Sequence, residues 1–143
     1  MTEGERLAAA AARFIGSPFR LHGRNPETGL DCIGLVLASL EAIGRKIADP
    51  RGYRLRNVAI DGWLPFAAKC GLIEAEGSAT TGDVLLLKPS SVQHHLAIVA
   101  DESTIIHAHA GLRRVVRQPL DGATTIIEHW RLAPPHGDTQ WRP

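Results

Sequence analysis

Apolar residues recur at helical spacing in the first third of the chain and in short strand-like runs in its second half. Over residues 5–15, Leu7, Ala11, Phe14 and Ile15 gather on one side of an Ala-rich segment. This predicts an amphipathic helix, stopped by Gly16 and Pro18. Residues 16–31 carry Gly16, Pro18, Gly23, Asn25-Pro26 and Gly29, and read as loop. A second helix is predicted from about Cys32 to Ile43, rich in Ile33, Leu35, Val36, Leu37 and Leu40, with Gly44 as its stop. Asp31 is placed to cap it, because a carboxylate there accepts an orphan N–H of the first turn. A third helix is expected from about Asn57 to Lys69, ending at Cys70-Gly71, with Pro65 kinking or restarting it.

After Gly71 the pattern shortens. Asp83–Lys88, His94–Ala100, Thr104–Ala110, Arg113–Gln118 and Thr124–Arg131 are Val/Ile/Leu-rich pieces divided by turn residues. Helices followed by a strand meander predict an α+β fold, with an antiparallel sheet of about five strands packed on the N-terminal helices. One domain is expected over residues 1–133, with a polar, Pro-rich flexible tail over 134–143.

Composition narrows the function classes. A length of 143 residues suffices for a core without disulfide or metal staples. The formal net charge of +1, with arginines spread along the chain, gives no reason to expect a nucleic-acid partner. Two cysteines, Cys32 and Cys70, are too few for a disulfide framework. No apolar run approaches the roughly 18–20 residues of a membrane span. The start, Met1 to Arg6, is acidic ahead of a short Ala-rich stretch and does not read as a secretory signal, so synthesis in the cytoplasm is expected.

The chemistry concentrates at Asp31-Cys32-Ile33-Gly34 and at two histidines, His95 and His107, twelve residues apart on strand-like segments. A cysteine at a helix start meets backbone N–H groups and the positive end of the dipole. Its pKa is expected to fall below the free value of about 8.5. Opposed residues of an antiparallel pair have a constant index sum and share a face. His95 and His107 sum to 202, so they oppose each other if the turn centres on Asp101; a two-residue loop would send them to opposite faces. Asp101-Glu102-Ser103 permits the odd-length loop. The helix bearing Cys32 is then expected to pack over the two rings. Cys32 would be the nucleophile, His95 the base and His107 the group that orients it, with the Cys32 N–H as oxyanion donor.

Each residue also has a plainer role. Cys32 fits a buried helix position, His107 a core or edge histidine, and His94-His95 the surface of an edge strand. His109 lies two residues beyond His107 and so on the same face, as a substrate contact, a substitute third residue or a rim histidine. Cys32, His95, His107 and His109 could bind zinc, but no close Cys pair or HExxH accompanies them, so neither metal nor cofactor is expected. Arg20, Arg24 and Arg113 are either cleft residues meeting carboxylates or solvated surface.

Gly16-Ser17-Pro18-Phe19, His22-Gly23 and Gly29-Leu30-Asp31-Cys32-Ile33-Gly34-Leu35-Val36 resemble the nucleophile segment of the NlpC-type cell-wall peptidases. Gly82-Asp83-Val84-Leu85, His95-Leu96-Ala97-Ile98-Val99 and Ile105-Ile106-His107-Ala108 resemble that family's later motifs, in order. The resemblance spans about residues 5–132. Together with His107 through Arg114, it looks most like the branch found in phages and gene transfer agents. It implies a papain-like α+β core and a cysteine peptidase hydrolysing peptidoglycan stem peptides, commonly at the D-glutamyl–diaminopimelate bond. It also implies transport to the cell wall in a phage-like tail, with tail proteins as partners. Cys32, His95 and His107 take the catalytic positions, and Asp31, Phe19, Arg24 and His109 are the candidates for substrate contact. Ile33 stands where the family usually has Ser, and Phe19 where it usually has Tyr. Those departures motivate two alternatives: a binding or tail-assembly protein that keeps the fold, and acyl transfer on the same triad.

Overall fold

Helix α1 (Glu3–Arg13) starts where a polar cap dictates. The Thr2 hydroxyl accepts from the Glu5 N–H (3.0 Å) while the Glu5 carboxylate accepts from the Thr2 N–H (2.8 Å). This reciprocal cap starts the helix at Glu3, four residues ahead of Leu7, the first residue of the apolar stripe. Leu7, Ala8, Ala10 and Ala11 form the buried side. The protein is described by a computed structural model over residues 1–47, 67–90, 93–122 and 124–134.

Between the helices the chain forms a two-residue ribbon, β1 (Arg24–Asn25) antiparallel to β2 (Gly29–Leu30). A bridge from Pro18 to Arg114 ties this loop to the main sheet, and one from Phe19 to Leu30 ties it to β2. Helix α2 (Cys32–Ala42) is buried at every position from Cys32 to Leu40. It is apolar all round, as a central helix must be. The helix expected over 57–69 lies largely outside the described residues; 67–69 are helical and Gly71 turns the chain at φ 82°. The tail expected over 134–143 lies outside them too, apart from Pro134.

Among the described residues the expected sheet of about five strands has six: β3 (Leu72–Glu74), β4 (Val84–Ser90), β5 (Gln93–Val99), β6 (Thr104–His109), β7 (Arg114–Pro119) and β8 (Thr125–Leu132). The spatial order is β3-β8-β4-β5-β6-β7, antiparallel throughout. The extra strand, β3, is a three-residue edge too short to alternate visibly. Alternation then sorts the side chains. Val84, Leu86, Leu96, Ile98, Ile106 and Ala108 face the helices in one large core, and α2 lies on β5 and β6. Leu85, Leu87, Ala97, Val99 and Ile105 form a second cluster on the other face. The architecture is therefore α+β with N-terminal helices against an antiparallel sheet.

One ion pair built on a buried carboxylate ties β4 to β8. Asp83, fully buried at the start of β4, accepts from Arg131 Nε and Nη2 of β8, both at 2.9 Å, and from the Thr80 N–H. No helix among the described residues is long and apolar enough to cross a membrane.

Candidate active site

Asp31 builds the head of α2. Its Oδ1 accepts from the Gly34 N–H (2.8 Å) and from Arg24 Nη1 (3.0 Å), and its Oδ2 accepts from the His22 N–H (2.8 Å). The carboxylate thus caps the helix and clasps the preceding loop to it. That clasp draws Gly23 so close that a Cβ on Gly34 would sit 2.1 Å from the Gly23 carbonyl oxygen. Three of the expected substrate contacts are engaged elsewhere. Asp31 is 0% exposed, and Arg24 is paired with it. Phe19 packs half-buried against the core while its N–H donates to the Arg113 carbonyl. These residues shape the loop over the helix head.

The Cys32 sulfur is buried, with 2% of the residue exposed. The N–H groups of Leu96, Ile33 and Cys32 itself face it. The Leu96 contact locates the sulfur on the sheet. Val99 exchanges hydrogen bonds with the β4 side (Gly82 and Asp83), whereas the Ala100 N–H turns to Thr104. Even-numbered residues of β5, Leu96 included, therefore direct their backbone groups toward β6. The β5–β6 ladder pairs Ile98 with Ile106 and Val99 with Ile105 and goes no further, so Ala108 does not pair with Leu96. The sulfur lies at the seam where these strands part.

His95 and His107 share a face, as the hairpin argument requires, but in a different register. The ladder's indices sum to 204, not 202, and the turn centres on Glu102. The Asp101 carboxylate causes this shift. It accepts from the N–H of Ser103 (3.0 Å) and of Thr104 (2.9 Å), so Asp101 opens the turn instead of sitting at its apex. The His95 ring still stacks on His107, with centroids 5.2 Å apart and planes inclined by 29°. His107 in turn meets His109 at 5.3 Å. His109 Nδ1 accepts the Leu112 N–H (3.0 Å), and the residue is half-buried.

Two further expectations are corrected. Helix α2 does not lie over the imidazoles: Leu96, Ile98, Ile106 and Ala108 face it, and alternation puts His95 and His107 on the opposite side. Among the described residues no hydrogen bond joins the sulfur to either ring. The thiol is also not acidified. Burial pushes its pKa up to about 12, the Asp31 carboxylate adds to that, and the three N–H groups oppose the shift without overcoming it. Burial likewise lowers His95 to about 4, with His107 and His109 contributing like-charge repulsion. His107 is lowered mainly by burial, against a hydrogen bond from its Nε2 to Gln118 Oε1 of 2.7 Å. The thiol and the two imidazoles are therefore neutral near pH 7.

Gln118 carries no motif, and sequence reasoning missed it. The available signal was parity: it shares the strand face of Val116, which pairs with His107. Among the described residues no three His, Cys, Asp or Glu side chains converge to hold a metal ion.

The model of the NlpC/P60 family matches residues 16–130. No curated protein matches the chain in sequence. Solved structures share the fold. NlpC2 from Trichomonas vaginalis superimposes with a TM-score of 0.64 at 18% identity, over 90% of this chain and 46% of that one. The NlpC/P60 domain of the peptidoglycan hydrolase SagA gives 0.60 at 24% identity, over 87% of this chain and 97% of that one. A chain of the type VI effector–immunity complex Tae3–Tai3 from Ralstonia pickettii gives 0.58 at 22%, over 92% and 99%. The chain thus spans under half of the NlpC2 chain but nearly all of the latter two.

Proposed function

Because the chain belongs to the NlpC/P60 family, we propose that it is a cysteine peptidase cutting an amide bond in the peptide stems of bacterial peptidoglycan. One observation carries this reading: the Leu96 N–H faces the Cys32 sulfur, and the ring of Leu96's chain neighbour, His95, stacks on His107. The similar SagA domain comes from a peptidoglycan hydrolase, which agrees with that substrate.

The neutral resting site sets the mechanism. Cys32 attacks the amide carbonyl as His95 removes its proton, so thiolate and imidazolium form together with the C–S bond. The Cys32 N–H at the helix head donates to the developing oxyanion. His95 passes the proton to the leaving nitrogen, the C–N bond breaks, and a thioester remains. Water, giving its proton to His95, then cleaves the thioester and restores the thiol. His107 keeps the His95 ring in place through both halves. The scissile bond in this proposal is the D-glutamyl–diaminopimelate amide, and the protein reaches the wall in a phage-like tail; both rest on the sequence resemblance.

Purified protein incubated with peptidoglycan should release new free amines, and Cys32→Ala should abolish the release. Equal release by both proteins would remove Cys32 as nucleophile. The burial of the sulfur, together with Ile33 and Phe19 at positions where the family usually has Ser and Tyr, favours a second reading: a protein that keeps the fold and works by binding in a phage-like tail. Particles that assemble and deliver DNA normally with Cys32→Ser would support it. Intact particles that fail to deliver would support the peptidase.

A further inference from the structure

The His107 ring is held at one end only. Its Nε2 lies 2.7 Å from Gln118 Oε1, while its Nδ1 is buried without a hydrogen-bond partner among the described residues. With the Gln118 amide oxygen turned to the ring, as it stands, the oxygen accepts and the proton sits on Nε2. In a neutral imidazole the Nδ1 then holds the lone pair. His109 does not replace this anchor: it touches His107 through its ring, and its own Nδ1 is occupied by the Leu112 N–H.

We infer that Gln118 is a positioning residue for the proposed peptidase: it locks His107 in one tautomer and one ring orientation, as the platform on which His95 stacks. Gln118 reaches across from β7, opposite Ile105 and one diagonal step from His107 on the same face. Without it, the His107 ring can flip about its Cβ–Cγ bond and exchange its proton between the two nitrogens. His95, which stacks on that ring at 5.2 Å, then loses a fixed partner while it takes and returns the proton. The side chain is half-buried at the strand's outer end, so its replacement opens no core cavity. The inference rests on the peptidase reading for its catalytic half and on the ring geometry alone for its tautomeric half.

The two halves are tested separately. Long-range proton–nitrogen NMR of the full chain reads the His107 tautomer without substrate. The wild type should show the Nε2–H form, Gln118→Leu a mixture, and Gln118→Glu, which keeps an acceptor oxygen, the Nε2–H form again. On peptidoglycan, Gln118→Leu should lower kcat by roughly tenfold with KM little changed, short of the hundredfold or more that a general base supplies. Gln118→Glu should restore most of that loss, and both variants should melt near the wild type. An Nδ1–H tautomer in the wild type, or an unchanged tautomer in Gln118→Leu, would overturn the inference. So would a kcat loss that Gln118→Glu does not recover. If the tautomers respond as expected but the wild type releases no amines, the peptidase reading falls, and the catalytic half of this inference with it.

Discussion

Two fields of opposite sign act on the Cys32 sulfur. Helix-head N–H groups and the Leu96 N–H favour a thiolate, while burial and the Asp31 carboxylate disfavour it. Removal from water costs an ion several kcal/mol, whereas a helix terminus returns about 0.3–1 kcal/mol at exposed sites, so burial wins. Iodoacetamide should therefore label Cys32 more slowly than free cysteine near pH 7, and the rate should climb only under strongly alkaline conditions. Asp31→Asn should speed labelling, because it removes a negative charge beside the sulfur. The same substitution should cost about 1–2 kcal/mol of stability in a urea melt, since the cap and the Arg24 pair both weaken. Labelling that is fast near neutrality and unchanged in Asp31→Asn would contradict this balance. The sequence showed which residue is at the helix head but not how deeply it is buried, and depth is what sets the sign of the shift.

Among the elements, α2 and its loop are matched through one glycine. A Cβ at Gly34 would meet the Gly23 carbonyl at 2.1 Å, and that neighbour is backbone, held through His22 and Arg24 to Asp31. Gly34→Ala should cost about 1–3 kcal/mol in a chemical melt and displace the loop, with loss of amine release even where the fold survives. A variant as stable and active as the wild type would show that the loop is not pinned. The long strands and α2 were legible because their apolar runs are strong. The ribbon β1–β2 and the edge β3 were not, being two or three residues each. The hairpin shows a finer limit. An odd-length turn of any register puts His95 and His107 on one face, and Asp101-Glu102-Ser103 permits one. Its register depended on where Asp101 aims its carboxylate, a tertiary detail that run lengths do not encode. Motif order marked Cys32, His95 and His107, whereas Gln118 looked like any polar strand residue.

For the molecule as a whole, His95 couples the site to global stability. Its pKa is lowered to about 4 in the fold, against about 6.5 in an unfolded chain. Between those values the unfolded chain binds more protons, so stability falls as pH drops from about 6.5 toward 4. His107 is lowered as well and adds to the same trend. Urea melts across this window should show the decline, and His95→Phe should flatten part of it. A decline as steep in His95→Phe would assign the acid sensitivity to other groups. The helices and the imidazoles occupy opposite faces of one sheet, and a fully laddered sheet would insulate one from the other. The β5–β6 ladder stops at Ile98 and Ile106, and beyond it the Leu96 N–H turns to the Cys32 sulfur instead of to a strand partner. In the proposed reaction that N–H steadies the sulfur, and any replacement that drew Ala108 onto Leu96 would take it away.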